Sequence, residues 1–198
     1  MSWTPEADSA LLVIDVQRDF CPGGSLAVVG GDEVVAPLNT AAQRWADAGR
    51  LVVATRDWHP ARTVHFQAYG GTWPPHCVQG TPGAEFHPAL RLPPSAVVVS
   101  SGMAEDEDGY SAFDARDDDG RPLADLLRDH GIRQLYVGGL ATDYCVKASV
   151  LDGRRHGFAV TVFADAVRAV NLQPEDGERA LAEMRAAGAE IATSVSLV

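Results

Sequence analysis

Lysine is almost missing from this chain. Lys147 is the sole example, and the rest of the 16 basic residues are arginines scattered along the sequence. With no basic stripe to follow a phosphate backbone, nucleic acid is excluded as a partner. Cysteine is scarce too: Cys21, Cys77 and Cys145 are an odd set without regular spacing, which excludes a disulfide framework and suits a reducing cytoplasm. No apolar run approaches the ~20 residues of a membrane span. The opening residues, Met1 to Glu6, lack the basic start and apolar stretch of a secretory leader. Neither a membrane nor export is therefore expected. Internal repeats and low-complexity tracts are absent, and the net charge of −11 mostly reports solubility.

What is present is an alternation of short apolar strands and amphipathic helices. The 198 residues suit one α/β domain over 1–198, with a core of ordinary size for 46% hydrophobic content. Strands are expected at 10–14, 51–55, 96–99, 134–137, 159–163 and, more weakly, 190–193. Their continuous Val/Ile/Leu runs fit a mostly parallel sheet covered on both faces, a doubly wound six-stranded arrangement. A helix is expected over 32–48, with Val34, Leu38, Ala41, Trp45 and Ala48 on one face and Pro37 forcing a late start or a bend. A second opens at Pro122, with Leu123, Leu126, Leu127 and His130 inward. A third covers 146–156. The last opens at Pro174, with Ala180, Leu181, Met184 and Ala187 inward.

In such a sheet, ligands collect beyond the carboxyl ends of the strands. Asp15, Asp57, Ser100–Ser101 and the turn holding Cys145 all lie at such ends, so four strands deliver them to one edge. Cys145 sits where a strand passes into a helix, whose free N–H groups favour a thiolate. It is either a nucleophile or a small buried side chain filling that corner. Asp15 follows five apolar residues. A desolvated carboxylate there suits a general base, the alternative being a cap for local N–H groups.

The stretch 57–94 is long for a loop and holds four of the six histidines. Asp57, His59, His65 and His76 could hold a divalent transition metal with positions left open, although lone histidines are often structural and the spacing is no zinc finger. Zinc leads, with iron or manganese also accepted by such donors. Cys77 reads as structural, and Glu105 to Asp108 as a solvated acidic loop.

These segments resemble the nicotinamidase branch of the isochorismatase-like cysteine hydrolases. The resemblance rests on 14–26 (Ile-Asp-Val-Gln-Arg-Asp-Phe-Cys-Pro-Gly-Gly-Ser-Leu), Asp57-Trp58-His59, 73–84 beginning Trp-Pro-Pro-His-Cys, 108–113 and 138–149 containing Gly-Leu-Ala-Thr-Asp-Tyr-Cys-Val. It implies an amidase turning nicotinamide into nicotinate and ammonia: Asp15 takes the proton of Cys145, the N–H groups of Ala141 and Cys145 hold the oxyanion, and a thioester is then hydrolysed. It also implies a cis Leu140–Ala141 peptide and a metal on Asp57, His59, His65 and His76 that meets the pyridine nitrogen. Phe20, Trp73 and Tyr144 would line the ring pocket; as residues alone they could equally be core aromatics.

One position departs. The family pattern carries a catalytic lysine after the third strand, and this chain has Ser101 there. Without compensation, the resemblance implies a rate loss of about 10²- to 10⁴-fold. The same residues admit a hydrolase of another small amide, or a silent member that binds metal and ligand without turnover. A homodimer is the default expectation for a chain of this size.

Overall fold

The computed structural model describes residues 3–194. Six strands form one sheet: β1 (Ser9–Ile14), β2 (Leu51–Asp57), β3 (Val97–Ser101), β4 (Gln134–Leu140), β5 (Ala159–Arg168) and β6 (Glu190–Ala192). Their order is β3-β2-β1-β4-β5-β6, and every pairing is parallel. The chain builds outward from β1, then returns to lay β4 on its other side. The crevice between β1 and β4 is therefore the switch point where a doubly wound sheet binds ligands.

Among the described residues, four α-helices cover the faces: α1 (Val35–Asp47), α2 (Leu123–Asp129), α3 (Lys147–Arg155) and α4 (Asp176–Ala186). Strand β1 shows why both faces must be covered. Ala10, Leu12 and Ile14 join the layer formed with α2, α3 and α4, while Leu11 and Val13 join the layer under α1. Each buried leucine, valine or isoleucine among them stabilises the fold by roughly 1.5–3 kcal/mol. Among the described residues, no helix is long and apolar enough to cross a membrane.

Pro37 turns out to be harmless. A 3-10 turn over Gly31–Val34 precedes α1, so Pro37 falls in the first helical turn, where its missing N–H has no partner to lose. The buried face of α1 is Val35, Leu38, Ala41, Ala42 and Trp45, joined by Val34 from the preceding turn, whereas Ala48 is the half-buried C-cap. Two inward assignments fail: His130 is the exposed C-cap of α2, and Ala187 is the exposed C-cap of α4. Both helices stop before the apolar stripe reaches those positions.

Strands β4 and β5 are longer than their apolar runs. Gly138 and Gly139 belong to β4 rather than to a turn. A Cβ on Gly139, whose φ is 132°, would stand 2.0 Å from the carbonyl oxygen of Ile14 in β1. Close strand approach, not chain reversal, explains that glycine. Strand β5 bulges opposite Val137/Gly139, which carries Val167 and Arg168 alongside Gly139 and Leu140.

Candidate active site

Asp15, directly after β1, has a left-handed backbone (φ 48°) that turns it out of the sheet. Its N–H reaches the carbonyl of Thr55 (3.3 Å), and the Thr55 hydroxyl donates to its Oδ1 at 2.5 Å. Asp57, the last residue of β2, is held by Gln17. The Gln17 amide accepts from the Asp57 N–H (2.9 Å) and donates to the carbonyls of Asp57 (2.7 Å) and Ala84 (2.9 Å). Gln17 is fully buried and satisfied by backbone, a contact across 40 residues that no local pattern announces.

After β4 the Leu140–Ala141 peptide is cis. A π-turn over Thr142–Val146 then leads into α3. The Ala141 carbonyl accepts from the N–H groups of Tyr144 and Val146, both at 3.1 Å, and passes over Cys145 between them. Ser149 fixes this corner: its hydroxyl donates to the Cys145 carbonyl (2.6 Å) and accepts from Ala112 N–H (2.8 Å). The Asp143 carboxylate accepts from the N–H groups of Val170 (2.9 Å) and Asn171 (2.8 Å), tying the chain beyond β5 to the same turn.

The ligand-type atoms of Asp15, Asp57 and Cys145 come within 4.8 Å of one another, all buried. The Cys145 sulfur and the Asp15 carboxylate thus face each other within 4.8 Å. Burial first, and the Asp57 charge second, push Asp15 well above the usual carboxylate range; Thr55, Cys145 and His59 oppose them. Burial, then Asp15 and Asp57, push the Cys145 thiol up. The thiolate expected from a helix start is thus not the resting form. At Cys145, the fourth residue of the helical run, loss of water plus two carboxylates outweigh the N-terminal field.

Ser101, at the end of β3, is buried and sends its hydroxyl to Asp57 Oδ1 at 3.4 Å. The basic side chains one would look to for a replacement cation are engaged elsewhere. Lys147 pairs with Glu183 (3.3 Å), Arg18 with Glu85 (2.9 Å), and Arg56 donates to the Ser100 hydroxyl while lying over Trp58.

On the other side of Asp57, His59, His65 and His76 are buried with one ring nitrogen each inside a 4.8 Å cluster. Asp57 Oδ2 is 3.6 Å from His59 Nε2 and 3.9 Å from His76 Nε2. All three rings donate at Nδ1: His59 to the Gly102 carbonyl (3.1 Å), His65 to Asp108 Oδ1 (3.0 Å) and His76 to the Pro74 carbonyl (2.8 Å). That tautomer turns each Nε2 lone pair free. Gly102 (φ 62°) allows this approach, since a Cβ there would meet His59 Cε1 at 2.4 Å. Burial lowers the basicity of all three rings, His76 to about 4, so they are neutral. His59 Nε2 is buried without a hydrogen-bond partner. A neutral three-imidazole, one-carboxylate set with an orphaned nitrogen fits a divalent transition metal.

Between the two clusters lies a small cavity. It is lined by Cys145, Ala141, Asp57, His65 and His76, by Phe20, Trp73 and Tyr144 as expected, and also by Leu26, Tyr110 and Val170. Trp73 stands edge-on to Tyr144 (4.9 Å) and donates to the Tyr110 hydroxyl (2.8 Å). Cys77 is buried apart from this lining, with its N–H on Asp19 (2.8 Å). Asp108, exposed as the solvated loop of the sequence reading requires, also reaches a site histidine.

Residues 9–196 match the isochorismatase domain family. The nicotinamidase of Escherichia coli is 43% identical, over 93% of this chain and 94% of that protein. The zinc complex of the Pyrococcus horikoshii pyrazinamidase superposes with a TM-score of 0.86 at 45% identity, over 94% of this chain and 99% of that one. An L. infantum protein in complex with nicotinate gives 0.87 at 36%, over 99% and 98%.

Proposed function

The chain belongs to the isochorismatase family and is an amidohydrolase of nicotinamidase type, and from that premise we propose that it hydrolyses nicotinamide to nicotinate and ammonia through a thioester on Cys145. The observation that carries the reading is the buried Asp15 carboxylate and Cys145 sulfur within 4.8 Å of each other, beside an aromatic cavity and a histidine cluster.

Asp15, ionised, takes the thiol proton as Sγ attacks the carboxamide carbon, and the carbonyl electrons move onto oxygen. The N–H groups of Ala141 and Cys145 receive that oxyanion, an interaction of roughly 3 kcal/mol per well-placed donor. The oxyanion collapses, the C–N bond breaks, and Asp15 returns its proton to the leaving nitrogen, releasing ammonia. A water then gives a proton to Asp15 while its oxygen attacks the thioester. The C–S bond breaks, and the sulfur regains its proton from Asp15. Phe20, Trp73 and Tyr144 sandwich the flat ring and exclude bulk water.

Asp57, His59, His65 and His76 would hold the metal, zinc in preference to iron or manganese, and the bound ion would give the pyridine nitrogen a Lewis-acid contact. The zinc held by a relative 45% identical supports this. Ser101 supplies a hydroxyl where a cation would stabilise developing negative charge, so the parent enzyme works below its potential. The test is ammonia release from nicotinamide. We expect turnover that Cys145→Ala abolishes and Ser101→Lys raises. No ammonia from either the parent or Ser101→Lys would sink the proposal.

A further inference from the structure

The three site histidines are anchored in two different ways. His59 and His76 donate Nδ1–H to backbone carbonyls, whereas His65 donates to the carboxylate of Asp108 at 3.0 Å. Asp108 is 65% exposed on a loop that is nonetheless ordered. Glu107 accepts from the N–H groups of Met103 (3.1 Å) and Ala104 (3.3 Å), and Glu105 accepts from Val64 N–H (2.8 Å), next to His65 itself. The His65 ring stacks on His59 at 4.6 Å, so its plane is set while its hydrogen-bond partner remains a side chain.

Resting on the metal reading above, we propose that Asp108 is a positioning residue for the ion: it fixes His65 in the Nδ1–H tautomer and makes its Nε2 a stronger donor. A carboxylate pulls the Nδ1 proton more strongly than a carbonyl does and shifts electron density toward Nε2. Removing such outer partners typically weakens metal binding by about 10- to 100-fold. The fold does not depend on this contact, because Glu105 and Glu107 hold the loop through backbone N–H groups.

The experiment is zinc affinity of the full chain, measured by competition with a chromophoric chelator. Asp108→Ala is expected to weaken zinc about 10- to 100-fold, and Asp108→Asn, which keeps an acceptor, less. The melting temperature of the metal-free protein should not change. In a His65→Ala background, Asp108→Ala should add nothing, which separates an effect through His65 from simple attraction of a cation by a nearby charge. Zinc affinity within about twofold of the parent overturns the inference, as does an equal loss with His65 already removed or a lower metal-free melting temperature. If His65→Ala and His76→Ala themselves leave zinc binding unchanged, the metal reading falls and takes this inference with it.

Discussion

At Ser101 a hydroxyl 3.4 Å from Asp57 is all that β3 offers to a buried group of two carboxylates and a thiol. A lysine there would bring an ammonium to Asp15 and Cys145, which burial first and neighbouring carboxylates second now push up. Ser101→Lys should therefore increase the rate of ammonia release by about 10²- to 10⁴-fold, read from initial velocities at saturating nicotinamide. Thr55 invites a second substitution. Its hydroxyl donates to Asp15 at 2.5 Å and is buried with it. A hydrogen bond to a charged group contributes ~1.5–3 kcal/mol, so Thr55→Val should lower kcat about 10- to 100-fold with little change in KM, and Thr55→Ser should restore it. Equal kcat in all three proteins would remove Thr55 from the mechanism. Cys145, Asp15 and the three histidines, the proposed nucleophile, base and metal ligands, could be picked out because each stands in a short stretch of unusual composition near a strand end. Gln17, Thr55 and Asp108 could not. Their meaning lies in partners some 40 residues away, such as Gln17 on Asp57 and Asp108 on His65, and Asp108 also hides inside a run of ordinary surface acids.

Strands were easier to read than the corners joining them. The six apolar runs identified every strand, and their unbroken character anticipated parallel pairing. The ends of β4 and β5 escaped, since glycine carries no hydrophobic signature although Gly139 is the point of contact with β1. Gly139→Ala should cost at least ~2 kcal/mol, because the new Cβ meets backbone rather than a side chain that can yield. Urea unfolding measures this, and an unchanged midpoint would mean that β1 and β4 separate easily. Helix faces were right where the stripe was central, as with Leu38 and Trp45, and wrong at the last turn, as with His130 and Ala187. The π-turn before α3 had no sequence mark at all. Cys145 sits inside it, and burial with two neighbouring carboxylates replaces the expected thiolate by a buried thiol.

For the molecule as a whole, the ligand cluster links stability to pH and to metal. His76, lowered to about 4 by burial, contributes stability that is present above pH 6.5 and lost as pH falls through 4. Asp57, raised by burial to about 7, has the opposite sign: its contribution is present below pH 3.8 and lost as pH rises through 7. In the metal-free protein the two offset each other across one window. Metal-free Asp57→Asn should therefore lose stability more steeply than the parent between pH 6.5 and 4, by chemical denaturation at several pH values. Parallel slopes would contradict the opposition. Zinc in excess should raise the melting temperature of the parent, by about 4 kcal/mol of stability at a thousandfold over Kd, and a chelator should reverse it.

Asp57 stands in both clusters at once, facing His59 and His76 with one oxygen and sharing the neighbourhood of Asp15 and Cys145. One carboxylate thus joins the candidate ion site to the proposed nucleophile. Once its charge is spent on a cation it presses less on Asp15, so the base in a loaded protein should ionise at lower pH than in an empty one. Loading the ion would arm the sulfur's partner as well as seat the ring.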